Sequence, residues 1–152
     1  MKKIFILLII CFCASMAKAE TFFEECENIP GVTTVYVSKA MISLAGDLNI
    51  DSDNMDFNSI ASKIDGLWVV NAENDKARII KDKAKNLFNG KDYEKLVSVR
   101  EDDETVDILM RPLGKGKNEC IIKALESDEA TIVIITGSFT LQDIASATRT
   151  SR

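Results

Sequence analysis

Residues 96–136, LVSVREDDETVDILMRPLGKGKNECIIKALESDEATIVIIT, decide the fold of this chain. Four segments rich in apolar residues alternate here with short polar turns. The predicted strands are Leu96–Arg100, Thr105–Arg111, Glu119–Glu126 and Thr131–Thr136. Connections of only a few residues join antiparallel neighbours, because a parallel pair needs a crossover of about a dozen residues or more. This stretch therefore predicts an antiparallel sheet.

Apolar and polar residues alternate along the second of these segments. Val106, Ile108 and Met110 lie on one side of the predicted strand, and Asp107 and Arg111 lie on the other. A period of two with one polar side is typical of a half-buried strand. We therefore expect the side with Asp107 and Arg111 to face water.

Two further strands are predicted in the N-terminal half, at Val32–Val37 and Leu67–Val70. Residues 67–70 and residues 132–135 are apolar without alternation. Strands of that kind are apolar on both faces, which indicates an interior position in the sheet.

Helices are predicted between these strands. Thr21–Glu27 has helical spacing of its apolar residues. Ser38 can cap a helix that carries Met41, Leu44 and Ala45 on one face and ends at Gly46.

The clearest helix begins at Asn74, as its cap, and continues to about Asn89, with an apolar stripe that includes Ala77, Ile80 and Ala84. Thr140 and Asp143 form a capping-box pattern that opens a last short helix.

Together these elements predict an α+β fold. It is a single, mostly antiparallel β-sheet of about six strands, with helices packed mainly on one face. The order of elements also predicts two early crossover connections, which should be right-handed. The other face of the sheet is expected to be partly exposed.

The chain is predicted to divide into a signal peptide, residues 1–19, and a single domain, residues 20–152. Lys2 and Lys3 form a positive n-region, an apolar run follows, and Ala17-Lys18-Ala19 has the small-x-small pattern of a cleavage site. Cleavage between Ala19 and Glu20 predicts a periplasmic or secreted protein.

The sequence predicts no membrane attachment of the mature chain. The apolar leader run is shorter than the roughly 20 residues that span a bilayer, and no later segment is long enough either. We therefore expect no integral membrane segment after cleavage. Cys11 follows Ile10 and Cys13 follows Phe12, whereas an acylated cysteine needs a small residue before it, so a lipoprotein is not expected.

The charge of the chain limits its partners. The formal net charge is −5 at pH 7, and removal of Lys2, Lys3 and Lys18 with the leader lowers it by three, to −8. Such a charge opposes phosphate backbones, so nucleic acid is not an expected partner.

Cys26 and Cys120 are the two cysteines outside the leader. An exported protein meets an oxidising compartment, where an even pair permits one disulfide. The alternative is that each cysteine is a small buried apolar residue.

The chain lacks the side chain most often used in catalysis, because it has no histidine. Histidine is the commonest general base near neutral pH and the commonest metal ligand. No phosphate-binding loop, nucleophile elbow or dinucleotide fingerprint is present. We predict no catalytic residue, no cofactor and no enzymatic activity, although catalysis by carboxylates or by a serine and lysine stays open.

A weak calcium-loop pattern begins at residue 47. Its candidate ligands, at loop positions 1, 3, 5 and 7, are Asp47, Asn49, Asp51 and Asp53. The template is broken twice, because Ser52 replaces the glycine of the sharp turn and Asn58 replaces the bidentate glutamate. An exposed acidic loop is the alternative, and no metal site is predicted.

Several blocks of sequence carry a family resemblance. They are residues 30–41 (PGVTTVYVSKAM), 64–70 (IDGLWVV), 93–96 (YEKL) and 134–144 (IITGSFTLQDI). In this order they resemble the DUF4252 family of small exported proteins of Bacteroidetes. The resemblance implies an envelope or secreted protein with an α+β domain, and it brings no catalytic residues. Cys26 and Cys120 are not part of the family pattern.

Three functional hypotheses follow. The leading one is a non-catalytic binding module that holds another envelope or cell-surface protein on a sheet face or an open edge strand. The second is a carrier or sensor for a small ligand bound between helices and sheet. The third is a hydrolase that works without histidine.

Overall fold

The structure is a computed structural model, and it describes residues 18–47 and 60–149. Four helices and six strands lie within these ranges. The helices are α1 (Lys18–Glu27), α2 (Lys39–Asp47), α3 (Asn74–Leu87) and α4 (Leu141–Arg149). The strands are β1 (Val32–Ser38), β2 (Ile64–Glu73), β3 (Glu94–Glu101), β4 (Glu104–Gly114), β5 (Lys117–Leu125) and β6 (Glu129–Gly137).

The six strands form one sheet in the order β1-β2-β6-β5-β4-β3. Every pair of neighbours is antiparallel, which confirms the predicted α+β arrangement and the predicted number of strands. One expectation about the connections was wrong. β1 and β2 are antiparallel neighbours, so the segment between them is not a crossover, even though it contains α2.

The strand registers define two faces of the sheet, because directly paired residues point to the same side. One side, which we call the closed face, carries Val70, Ile132, Ile134, Ile121 and Leu109. All five are buried in the main hydrophobic cluster. The opposite side is called the open face.

Helices α1 and α3 supply the residues that cover the closed face. Phe22 and Cys26 of α1 and Ile80 and Ala84 of α3 belong to the main cluster, and each is 0–1% exposed. Phe88 follows α3 and packs edge-on against Phe22, with ring centroids 5.1 Å apart. An amphipathic helix is stable here because its apolar stripe is removed from water by the sheet.

The ends of α3 differ slightly from the sequence prediction. Glu73 is the cap residue and makes no capping hydrogen bond through its side chain. Asn74 instead has a left-handed φ of 54°, and its backbone N–H donates to Asp128 O at 2.6 Å. Asparagine tolerates that conformation better than most residues. The start of α3 is thereby tied to the turn between β5 and β6.

Helix α4 begins as predicted. The backbone N–H of Thr140 donates to Asp143 Oδ2 at 2.7 Å, and the backbone N–H of Asp143 donates to Thr140 Oγ1 at 3.3 Å. This is the reciprocal pattern of a capping box. Ile144 of this helix packs with Phe139 against the open face, around Cys120.

Helix α2 presents a different side inward from the one predicted. Ser38 accepts a hydrogen bond from the backbone N–H of Met41 at 3.4 Å, so it acts as the cap. Ile42 is the buried residue, at 6% exposure, whereas Met41 and Leu44 are 57% and 51% exposed. Met41, Ile42 and Leu44 each have another apolar residue three or four positions away. The periodicity of so short a helix therefore did not determine which side faces the core.

The expectation for β4 was also wrong, because its polar side is the covered one. Asp107 and Arg111 alternate with Leu109 on the closed face, and all three are buried. Val106 and Ile108 lie on the open face and are half-buried. Two charged side chains can occupy the covered side because each has partners there. Asp107 Oδ1 accepts from Ser98 Oγ at 2.7 Å and lies 3.6 Å from Lys95 Nζ; Asp107 Oδ2 lies 3.7 Å from Lys123 Nζ.

Candidate interaction surface

The open face carries a continuous row of aliphatic side chains across the whole sheet. Direct pairing joins one residue from each of the six strands. In spatial order they are Val35, Val69, Val133, Ile122, Ile108 and Val97. All six are β-branched, and none is fully buried. We call this set the aliphatic row.

The exposure of the aliphatic row rises toward the edges of the sheet. Val35 on β1 is 46% exposed and Val97 on β3 is 43% exposed, while the four residues between them are half-buried. The cluster on the open face contains three buried residues among those described, Met110, Cys120 and Phe139, against sixteen in the cluster on the closed face. Aliphatic side chains are therefore fully buried on the closed face and partly exposed to water on the open face.

Two more rows flank the aliphatic row. One consists of Val37, Leu67, Ile135, Cys120, Met110 and Glu94, and Phe139 and Ile144 pack on it around Cys120. The other changes from polar to apolar across the sheet, in the order Thr33, Asn71, Thr131, Ala124, Val106 and Val99. Glu94, at the outer edge of the first flanking row, is the one charged residue in these three rows. A largely apolar surface of this extent, with a single charge at its edge, marks an interaction site.

A cleft of about 720 Å³ lies at the C-terminal end of β4, beside the start of α4. Its walls include Tyr93, Arg111, Asn118, Thr140 and Leu141. Lysine and carboxylate side chains both line it, so it has no strong preference for one sign of charge. It is an open depression with both polar and apolar walls.

A buried polar cluster lies beneath this cleft. Glu119 Oε1 accepts hydrogen bonds from Arg111 Nε at 2.8 Å and from Tyr93 OH at 2.5 Å. The guanidinium of Arg111 also lies 5.1 Å from the centre of the Tyr93 ring. Burial and the bond to Glu119 raise the pKa of Tyr93 above its usual value, so the phenol stays protonated. The cluster joins β4, β5 and the entry to β3, and these contacts give it a structural role.

Sequence reasoning missed this cluster because it assigned Arg111 to a wet surface. The sequence also carries no direct signal for it. Counting outward from the turn at residues 114–117 would place Arg111 opposite Cys120, and the register shift between Pro112 and Gly114 is what places Arg111 opposite Glu119.

The two cysteines are not brought together. Both are free and buried, Cys26 in the closed-face cluster and Cys120 in the open-face cluster. A disulfide needs Cβ atoms about 3.8 Å apart, whereas these two thiols lie on opposite sides of the sheet. Burial raises the pKa of each thiol to about 11, which leaves little reactive thiolate near neutral pH.

The calcium-loop residues Asn49, Asp51 and Asp53 lie outside the described residues, as does the side chain of Asp47. Within residues 18–47 and 60–149, no group of three cysteine or carboxylate side chains could hold a metal ion. The predicted signal peptide, residues 1–19, also lies outside the described residues, apart from its last two positions. Ala19 is part of α1 and is buried in the closed-face cluster.

No helix in the described part of the chain is long and apolar enough to cross a membrane. A family profile described as "Domain of unknown function (DUF4252)" matches residues 23–147. That range begins in α1 and ends in α4, so it contains all six strands. No curated protein and no solved structure gives a significant match.

Proposed function

The chain belongs to the DUF4252 family, and we propose that it is an exported, non-catalytic module that binds another envelope or cell-surface protein on the open face of its sheet. The observation that carries this proposal is the aliphatic row, which crosses six strands and is incompletely covered. Leaving such a surface in water forgoes roughly 25 cal/mol for each Å² that a partner could bury.

The protein's own packing indicates what kind of partner fits. The closed face is covered by α3 through a stripe of small and aliphatic residues, Ala77, Ile80 and Ala84. On the open face, Ile144 of α4 makes the same type of contact at one corner. A helix like α3 is about 21 Å long, and six strands span roughly 24 Å. An amphipathic helix with an aliphatic stripe therefore matches the aliphatic row in length and chemistry.

The export part of the proposal is supported by residues 1–19, with their basic start, apolar run and small-x-small ending. The non-catalytic part is supported by the chemistry of the side chains. The chain has no histidine, its two buried thiols have pKa values of about 11, and the Tyr93 phenol is held protonated. Groups in these states make poor nucleophiles and bases.

The test is site-specific photo-crosslinking in intact cells. A photo-reactive residue is placed at Val133, in the centre of the aliphatic row, and in a control at Lys85, on the exposed side of α3. We expect a discrete adduct with a different protein from position 133 and none from position 85. The adduct should disappear when Ile122→Asp is added, because the carboxylate would be desolvated by the partner. Monomer alone from both positions, or equal adducts from both, would overturn the proposal.

A second function is favoured by the cleft beside Arg111, whose volume of about 720 Å³ suits a small molecule. This alternative is a small-ligand carrier or sensor. Native mass spectrometry of the protein purified from its own host distinguishes it. A co-purifying small molecule that is lost in the variant Asn118→Leu supports the carrier, whereas a bare protein mass argues against it.

A further inference from the structure

The two edge strands of the sheet differ in how they are protected from pairing with another chain. An exposed edge presents unpaired N–H and C=O groups, and proteins protect such edges with charge, proline or a β-bulge. β3 (EKLVSVRE) carries four charged residues and a register shift between Lys95 and Val97. β1 (VTTVYVS) has no charge, proline or glycine, and it pairs with β2 without a shift from Val32 to Ser38.

We infer that β1 is an interaction edge and that its partner is β1 of a second copy of this chain. The two strands pair antiparallel about a two-fold axis at Val35, and two six-stranded sheets become one. This inference goes beyond the proposed function, since it concerns a different surface and a different occupant. It does not depend on what binds the open face.

The sequence of β1 is compatible with itself under this symmetry. With the axis at Val35, that residue faces its own copy, and all seven residues of the strand find a partner. Thr34 then faces Tyr36, and Thr33 faces Val37. Pairs of β-branched residues, and of an aromatic with a β-branched residue, are among the favourable cross-strand pairs. The seven residues include no charge that would meet its like, although the whole chain is acidic.

The residues directly flanking β1 are Gly31 and Lys39, and Lys39 Nζ already pairs with Asp65 Oδ1 at 3.0 Å. With the axis at Val35, Lys39 faces Gly31 of the second copy, so antiparallel pairing brings no like charges together. In an in-register parallel pair the two Lys39 side chains would be neighbours. Charge at the strand ends therefore favours the two-fold, antiparallel dimer.

Pairing would also cover the most exposed apolar residues of β1. Val35 is 46% exposed and Tyr36 is 53% exposed, and Tyr36 stacks at a tilt on Trp68 with ring centroids 5.2 Å apart. Because the axis is perpendicular to the sheet, both open faces lie on the same side of the dimer. The aliphatic row would then continue through Val35 into the second copy.

The first experiment compares two single cysteines at opposite ends of the aliphatic row. Val35→Cys lies on the β1 edge and Val97→Cys on the β3 edge, and the two valines have nearly equal exposure. The purified protein is oxidised gently and run on a non-reducing gel. Cys26 and Cys120 do not form intermolecular disulfides because they are buried. We expect a covalent dimer from Val35→Cys at least tenfold faster than from Val97→Cys. Equal rates, or no dimer from Val35→Cys, would overturn the inference.

The second experiment is a charge swap that separates dimer loss from misfolding. Light scattering after size exclusion should show a concentration-dependent dimer for the wild type and monomers for Val35→Glu and Val35→Lys alone. A one-to-one mixture of the two variants should restore the dimer, since the two-fold axis places their charges together. A wild-type monomer at all concentrations, or no recovery in the mixture of two folded variants, would contradict β1 self-pairing.

Discussion

The two faces of the sheet carry similar aliphatic residues but are covered to different extents. Ile134 points to the closed face and is fully buried, while the next residue, Ile135, points to the open face and is half-buried. The same contrast separates Ile132 from Val133. The difference does not come from the strands themselves, because β6 is apolar on both sides. It comes from α1 and α3, which place their apolar stripes on one face only.

Ion pairs also differ between the two faces, because the loss of one partner costs more free energy when the pair is buried. Glu119 on the closed face is 1% exposed and pairs with an Arg111 side chain that is 8% exposed. Near the open face, Lys63 pairs with Asp143 at 2.6 Å, but those side chains are 40% and 21% exposed. The first pair is expected to matter several times more than the second.

The largest predicted effect is therefore that of Glu119→Gln. It leaves the guanidinium of Arg111 without its carboxylate in a buried site, and removing one partner of a buried pair costs about 3–5 kcal/mol. Urea unfolding should show this loss in the free energy of unfolding. The double variant Arg111→Met/Glu119→Leu should recover part of it, since no buried charge remains, although the buried Tyr93 hydroxyl loses its acceptor. A loss below about 1 kcal/mol in the single variant would show that water reaches the pair.

The second prediction makes the same substitution on both faces. Ile134→Ala should lower the free energy of unfolding by about 2–5 kcal/mol, because it opens a cavity in a closed core. Ile135→Ala, one residue further on, should cost about 1 kcal/mol, because part of that side chain already meets water. Denaturant unfolding of the two variants gives the ratio directly. Equal losses would mean that the open face is covered as well as the closed one.

The sequence was sufficient for the number of strands and for the antiparallel order of the four C-terminal strands, but not for the antiparallel pairing of β1 with β2. Turns such as Gly114–Lys117 are short, and short turns leave no other arrangement for the four C-terminal strands. The start of α4 was also predictable, because the bonds between Thr140 and Asp143 are local. Both successes rest on interactions between residues close in sequence.

The predictions that failed depend on partners distant in sequence. Asp107 was expected in water because its contact with Lys123 exists only when β4 and β5 are aligned. Ile42 was overlooked because a nine-residue helix offers more than one apolar side. The sequence predicted a partly exposed sheet face but did not predict the aliphatic row. The row depends on the register of β2 against β6, two strands that are far apart in the chain.

The third prediction concerns the two thiols, one beneath each face. Cys26 and Cys120 should both react with a disulfide reagent on the order of 100-fold more slowly in the native protein than in urea, because burial raises both pKa values to about 11. Cys120 should react faster than Cys26, because the smaller open-face cluster opens locally at lower free energy. Peptide mapping after timed labelling gives both rates.

Two outcomes would contradict this picture of the thiols. Faster labelling of Cys26 would show that α1 detaches before the open-face cluster opens. A mass lower by two hydrogens in the exported protein, restored by reductant, would show a disulfide and hence a rearrangement of the sheet around Cys120.

The smallest predicted effect is that of Asp65→Asn, a less buried counterpart of Glu119 with 31% of its side chain exposed. Asp65 accepts from Lys117 at 2.6 Å and from Lys39 at 3.0 Å. The Lys117 bond is the main reason that the pKa of Asp65 lies below its usual value. A lowered folded-state pKa contributes stability above the unfolded value of about 3.9, and that stability is lost as the pH falls through the folded value. Water and salt screen the site, so the contribution should be at most about 1 kcal/mol. Thermal unfolding between pH 7 and pH 2 should show a shallower acid limb for Asp65→Asn than for Asp82→Asn on the exposed side of α3. Parallel curves would show that exposed pairs of this protein add nothing to its stability, which would leave burial on the closed face as the source of its ion-pair energy.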